Sequence, residues 1–403
     1  MTTIPVCAMR ARSLSSLPSA VVIVGSGIVG AATAYFLARR GIEVRLVEAV
    51  APAAEATGAA DGAVSVASKR PGPMMEAALA GVRLYRELES EGLFSGFFKT
   101  RSTFIVAASQ AECAVLEAHS AALAGAGVRI DILQHEELRQ RMPAVSGEAM
   151  MAVEVHDEGH AIGYQIVHRL LTAAGIVVHR GAVVEGFLPS SSGNGVRGVM
   201  TKHGPVEGDA VVVAAGTGSG ALLGFSDVLT PRKGQLLVTE RAPELNAGLP
   251  GAIMSGRYLL SKGSQNSGHG APARGLGLVI DPLRTGQFLI GGTREDHGDR
   301  TLNDVEAVAK ILRDAVALLP GLANVRLLRS FAGSRTAVAD GLPLIGRVPG
   351  RDNLFVATGF EGDGICLGPL TGKVVADLVC GEAPSLDLRP FDPARFGACE
   401  VAA

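Results

Sequence analysis

Tryptophan is absent from this chain, and four tyrosines with thirteen phenylalanines bring the aromatic share to only 4%. Set beside 52 glycines, that scarcity suits an α/β protein with many tight strand–helix turns. The five cysteines (Cys7, Cys113, Cys366, Cys380 and Cys399) never fall at C-x-x-C spacing. Neither a zinc nor an iron–sulfur site is therefore expected, and no metal is assigned. An odd, dispersed set reads as reduced thiols and a cytoplasmic location. An excess of one charge sign is missing too. A net charge of −2 gives no electrostatic case for a nucleic-acid partner. No apolar run reaches the ~18 residues of a membrane span. The first 19 residues carry Arg10 and Arg12 but no sustained apolar stretch. They read as a disordered extension rather than a signal peptide.

What is present is ample core material. Hydrophobic residues make up 47% of 403 positions, enough for two domains. Residues 20–48 read AVVIVGSGIVGAATAYFLARRGIEVRLVE: strand, glycine turn, helix, strand. Gly25, Gly27 and Gly30 form a G-x-G-x-x-G fingerprint that also frames Ile28 and Val29. Gly25 permits the tight turn, Gly27 clears a path for a pyrophosphate, and Gly30 lets helix and strand pack closely. The helix N-terminus offers free N–H groups to phosphates. Glu48 closes the second strand, where its carboxylate meets ribose hydroxyls. A dinucleotide site is expected.

Helices are expected over 74–91, 110–125, Tyr164–Ala174 and 304–318, and strands over 102–108, Val128–Leu133, Ile176–His179, Ala182–Phe187 and Ala210–Ala215. Between 230 and 330, GQLLVTE, RYLLSK, LGLVIDP and GQFLIGGT suggest an antiparallel sheet. GSQNSGHGAPARG (263–275) reads as a mobile loop. Nucleotide-type segments thus occur at the start, middle and end. This order predicts a discontinuous dinucleotide domain (20–95, 146–228 and 331–390) interrupted by a substrate domain (96–145 and 229–330).

The fingerprint alone does not separate NAD from FAD. A second glycine loop, Gly359 to Gly368, precedes a helix. A helix N-terminus aimed at the N1–C2=O edge of a flavin stabilises the negative charge of the reduced ring. NAD needs no such loop.

The segments VVIVGSGIVGAATAYFLARRGIEVRLVE, ATGAADG, GAVVEGF, DAVVVAAGTGSGAL, GSRTAVADGLPLIG and NLFVATGFEGDGICLGPLTGK span nearly the whole chain. Together they resemble the D-amino-acid oxidase, glycine oxidase and sarcosine oxidase family of FAD enzymes. The resemblance implies a Rossmann-like, glutathione-reductase-like FAD-binding domain with an inserted, mostly antiparallel α+β substrate domain. It implies that Glu48 holds the adenosine ribose, and that Thr57, Ala60, Asp61 and Gly62 pass the pyrophosphate and flavin. By the same likeness Val184 meets adenine, Ala215 and Gly216 cover the dinucleotide, and Gly362, Asp363, Gly364, Ile365 and Cys366 wrap the flavin pyrimidine edge. Arg335 matches the arginine that clamps the substrate carboxylate, a task suited to a planar guanidinium. Some relatives attach flavin through a cysteine near this motif. Gly333-Ser334-Arg335-Thr336 has none, so the FAD is expected to be non-covalent.

SVASKRPGPMMEAALAGVRLYRELE and GFEGDGICLGPLTG resemble a subgroup of catalytic subunits: opine oxidase, hydroxyproline dehydrogenase and hydrogen cyanide synthase. The implied activity is oxidation of an amino acid or secondary amine to an imine, with electrons passed to a partner subunit. A stand-alone oxidase releasing peroxide, and a flavin-bearing relay subunit with an idle site, are the alternatives. Under this reading the chain contacts a membrane only through a partner. Glu361 faces the site entrance as a candidate receptor for a cationic substrate tail. Lys69-Arg70 reads equally as a pair near the flavin or a partner and as a solvated loop pair. His156, His160, His269 and His297 read as structural or solvated.

Overall fold

The computed structural model describes residues 17–191, 193–264 and 275–397. The run Ala20–Val24 forms a strand buried along its whole length. It pairs in parallel with Glu43–Glu48 on one side and Ala210–Val213 on the other. Valine and isoleucine dominate these strands because both sheet faces are covered. Val178–Arg180 and Leu354–Thr358 extend the parallel array, and antiparallel Leu344–Arg347 completes six strands. The fingerprint helix Ile28–Ala38 packs against the C-terminal helix Gly364–Val379. The approach is close: a Cβ on Gly372 would lie 2.4 Å from the Cβ of Ala32.

A second sheet of nine strands holds the rest of the interior. Its pairings are antiparallel except that Gly251–Ser255 runs parallel to Phe98–Ala107. Leu229–Thr239 pairs along its length with Leu327–Val338, so that Arg232 stands opposite Arg335 and Gly234 opposite Gly333. A three-stranded antiparallel sheet, Val184–Pro189, Val196–Thr201 and Gly204–Glu207, lies beside the parallel one. The fold is the expected α/β architecture with a mainly antiparallel second sheet.

Several expectations need correction. RYLLSK, read as a strand, lies in the helix Arg257–Ser264. It carries no β-branched residue, and its apolar pair Leu259–Leu260 fits either period. The C-terminal helix starts at Gly364, inside the segment read as a loop to Gly368. The strand Met151–Ala161, assigned by sequence to the nucleotide part, belongs to the nine-stranded sheet, and so does Leu327–Val338 across the boundary drawn at 331. Of the segment 263–275, residues 265–274 lie outside the described residues, as do residues 1–16. The helices at 110 and 304 start with the side chains of Ser109 and Asp304 accepting backbone N–H bonds, as N-cap residues do. Among the described residues no helix is long and apolar enough to cross a membrane.

Candidate active site

The fingerprint turn is held by its own strand neighbour. Gly25 adopts φ +99°, and a Cβ there would sit 2.6 Å from the carbonyl oxygen of Ala214. Gly30 is tighter still, its Cβ falling 1.9 Å from the Gly25 carbonyl oxygen. The Ser26 backbone N–H (2.8 Å) and hydroxyl (2.7 Å) both donate to Glu48 Oε2, and the Val50 N–H donates to Oε1 (2.9 Å). Glu48 therefore clamps the turn as well as facing the groove. A carboxylate suits this because all three partners are donors. Glu48→Gln should present an amide N–H₂ to one of them, and flavin affinity should fall about tenfold, at ~1.4 kcal/mol per tenfold. Titration of apoprotein with FAD measures it; unchanged affinity would remove Glu48 from the site.

Two adjoining cavities run from this turn, of about 390 and about 140 Å³. The larger is lined by Gly25, Gly27, Ile28, Val29, Glu48, Thr57, Val184, Ala215 and Gly216. The smaller is lined by Ala60, Asp61, Gly362, Asp363, Gly364 and Ile365 together with Arg335. Ile28, Thr57, Glu361 and Gly364 border both. Three sequence-assigned residues line neither. Gly30 and Gly62 allow close backbone contacts, and buried Cys366 turns its sulfur to the Ala78 carbonyl (3.7 Å). Burial pushes the Cys366 thiol up to about 12, so it stays neutral.

The groove fits an extended dinucleotide with a flavin at its far end. Ser334 Oγ lines the larger cavity, buried and without a hydrogen-bond partner. Buried hydroxyls are seldom left so, and a bound cofactor's oxygen or nitrogen would supply the missing partner. At the flavin end the helix Gly364–Val379 begins, and Asp363 makes no side-chain cap to it. Its first N–H groups lack helical acceptors and border the smaller cavity. Asp363 instead pairs with buried Lys69, which thereby holds the loop before this helix. FAD is thus the cofactor that the groove accommodates.

Arg335 lies flat over its cross-strand neighbours. A Cβ on Gly234 would come within 2.5–2.6 Å of its guanidinium atoms. Its Nη1 donates to the Thr293 carbonyl (3.1 Å), and no carboxylate among the described residues lies within 4.0 Å of it. Burial and the nearby Arg294 pull its pKa down, the signature of a cation with spare demand for an anion. Gly234→Ala should displace the guanidinium while sparing the nucleotide groove. We expect KM for the amine substrate to rise about tenfold with flavin content unchanged, ~1.4 kcal/mol of lost binding. An unchanged KM would show that the guanidinium has room to shift.

Three residues here were not singled out by sequence reasoning. Arg294 donates to the Tyr258 hydroxyl (2.6 Å) and stacks over that ring at 4.7 Å. It also faces Glu361 (3.6 Å), whose carboxylate accepts from Arg232 (3.1 Å). Burial alone would raise the Glu361 pKa, but Arg294 and Arg232 outweigh it and hold it low. Glu361 is thus already occupied by two guanidinia. Its assignment as a receptor for a cationic tail is corrected to an anchor for Arg294 and Arg232. Arg294 and Tyr258 carried no local motif; Arg232 only becomes visible once its strand is paired with that of Arg335.

The histidines behave as structural groups. His160 Nε2 lies 2.9 Å from the Asp61 carbonyl oxygen, and burial lowers its pKa to about 4. His156 meets Asp131 (2.8 Å), and His297 lies 3.5 Å from Glu295. His269 falls outside the described residues.

Residues 20–378 match the family described as FAD dependent oxidoreductase (DAO). A glycine oxidase from Pseudomonas aeruginosa is 30% identical over 391 residues, covering 93% of this chain and 98% of that protein. Hydrogen cyanide synthase subunit HcnC from the same species is 28% identical, over 93% and 96% of the two chains. The crystal structure of glycine oxidase from Geobacillus kaustophilus superposes with a TM-score of 0.81 at 26% identity, covering 93% and 98%.

Proposed function

From the premise that this chain belongs to the DAO family of FAD-dependent oxidoreductases, we propose that it oxidises a small amino acid or secondary amine at the carbon bearing the nitrogen. The observation that carries the proposal is Arg335, a half-buried guanidinium that has no carboxylate partner among the described residues and lines the smaller cavity. It receives the substrate carboxylate through paired charge-assisted hydrogen bonds. When bound, FAD supplies the acceptor for the hydride. The chain supplies orientation: Arg335 fixes the carboxylate, and Glu361 holds Arg294 in place beside it. With FAD bound, the helix N-terminus at Gly364 and Ile365 would offer positive dipole to the negative charge of the reduced ring. The names of the relatives (glycine oxidase, and a hydrogen cyanide synthase subunit) agree with a small amino acid as substrate.

The test is anaerobic. Flavin-loaded protein is mixed with D-amino acids, N-alkyl glycines, prolines and opines, and the flavin absorbance is followed. Bleaching by a carboxylate-bearing amine is expected. Bleaching by dithionite but by none of these amines would overturn the assignment. The electron acceptor is read in the same preparation. We propose that a partner subunit takes the electrons, as the likeness to HcnC suggests. Fast turnover with a dye but slow peroxide release supports that; stoichiometric peroxide in air identifies a stand-alone oxidase.

A further inference from the structure

We propose that Asp61 receives the ammonium of the substrate and takes its proton, so that the small cavity binds a zwitterion between Asp61 and Arg335. This deepens the amine-oxidising reading and rests on it. Asp61 was first placed as part of a loop passing the cofactor. Asp61 also lines the smaller cavity, with Arg335, Arg294 and Tyr258 among the other walls, and its carboxyl feels the charge of Arg335.

The charges in that cavity sort into pairs, with two left over. Glu361 is matched with Arg294 and Arg232, and Asp363 with Lys69. Among the described residues no carboxylate lies within 4.0 Å of the Arg335 guanidinium, and no lysine or arginine nitrogen lies within 4.0 Å of the Asp61 carboxylate. Asp61 accepts only the Ala63 N–H, at Oδ1 (3.1 Å), which leaves its second oxygen for another donor. An unmatched anion and an unmatched cation therefore share one cavity without touching each other. An α-amino acid carries the complementary pair on adjoining groups. Once it binds, each enclosed charge gains the partner it lacks, which removes the cost of holding it from water.

The surroundings of Asp61 also suit a proton acceptor. Burial and the nearby Asp281 raise its pKa, while the Ala63 N–H, Arg335 and His160 act against the rise. Asp281 is itself paired with Arg101, and burial lowers the pKa of His160 to about 4, so neither delivers a mobile charge near neutral pH. The step balances simply. One N–H bond of the substrate ammonium breaks, an O–H bond forms on Asp61, and the nitrogen keeps the electron pair that allows hydride to leave its carbon. Asp61 afterwards releases the proton to solvent. A raised carboxylate pKa brings donor and acceptor closer in proton affinity, the condition under which general bases work well.

The test compares Asp61→Asn with the parent in flavin-loaded protein. Asparagine retains Oδ1 for the Ala63 N–H, so folding and flavin absorbance serve as controls. Glycine and acetate, which differ by the ammonium alone, are titrated without oxygen, and binding is read from the flavin spectrum. In the parent, glycine should bind at least tenfold more tightly than acetate. In Asp61→Asn that preference should disappear, with acetate binding within about twofold of the parent. The bleaching rate of the variant should fall about 100-fold near neutral pH and recover as pH rises and free amine becomes available. Equal preference for glycine in both proteins, or an unchanged bleaching rate, would overturn the role of Asp61 while leaving amine oxidation intact. Failure of every amine to bleach the parent would instead remove the parent reading, and this inference with it.

Discussion

Replacing Arg335 with leucine is expected to leave a folded, yellow protein that amino acids no longer bleach at a useful rate. Two charge-assisted hydrogen bonds to the substrate carboxylate contribute roughly 1.5–3 kcal/mol each. At about 1.4 kcal/mol per tenfold, losing both should lower kcat/KM about 10³-fold. Stability should move the other way. Arg335 is a half-buried cation whose own surroundings disfavour its charge. An apolar side chain of similar reach removes that burden, so Tm should hold or rise. Scanning calorimetry and anaerobic stopped-flow absorbance read the two effects separately. Arg335→Lys should recover part of the rate, because it restores charge without the planar fork. Parent-like turnover in Arg335→Leu would show that the guanidinium does not hold the substrate carboxylate.

A second large effect is expected from a single methyl group at Gly30. The added Cβ would lie 1.9 Å from the carbonyl oxygen of Gly25, well inside contact distance, with backbone on both sides. No side-chain rotation relieves such an overlap. The helix Ile28–Ala38 must lift from the strand Ala20–Val24, and the turn that meets the pyrophosphate opens with it. Gly30→Ala should therefore purify colourless or fail to accumulate. Gly125→Ala is the control, since nothing lies within 4 Å of its added Cβ, and its flavin content should match the parent. The flavin-to-protein absorbance ratio decides the matter. A fully yellow Gly30→Ala would mean that helix and strand separate without loss of the site.

The fingerprint was legible because its information is local: three glycines, an apolar strand and a terminal acid within residues 20–48. Arg335 was legible through the resemblance carried by its surrounding segment. Arg294, Tyr258 and Arg232 were not: the first two reach the cavity, and Arg232 reaches Glu361, through pairings between distant strands or a helix misread as a strand. Glu361 was singled out, but its two guanidinium partners were not. Sequence marks an acid near an entrance; it does not mark the two guanidinia that fold onto it. Asp61 shows the same limit. Its loop was recognised, but which way its carboxylate faces is a property of the folded cavity. The strand Met151–Ala161 has a related lesson: it pairs within the nine-stranded sheet, yet it sits in sequence beside a nucleotide-type helix.

The parallel sheet also sets a timetable for synthesis. The strand Ala20–Val24 needs Ala210–Val213 as its second neighbour, and that strand emerges 190 residues later (210 − 20). At about 5–20 residues per second, the delay is roughly 10–40 s. The walls of the flavin groove come from stretches as far apart as Val24 and Gly364, so only a nearly finished chain can capture the cofactor. Flavin capture then works as a completion check. A ribosome stalled before residue 358 leaves a chain lacking the loop at Gly359–Gly364, one that cannot draw on ligand binding for stability and is exposed to proteases for longer. Riboflavin supply during growth should accordingly raise the yield of full-length protein without rescuing truncated chains.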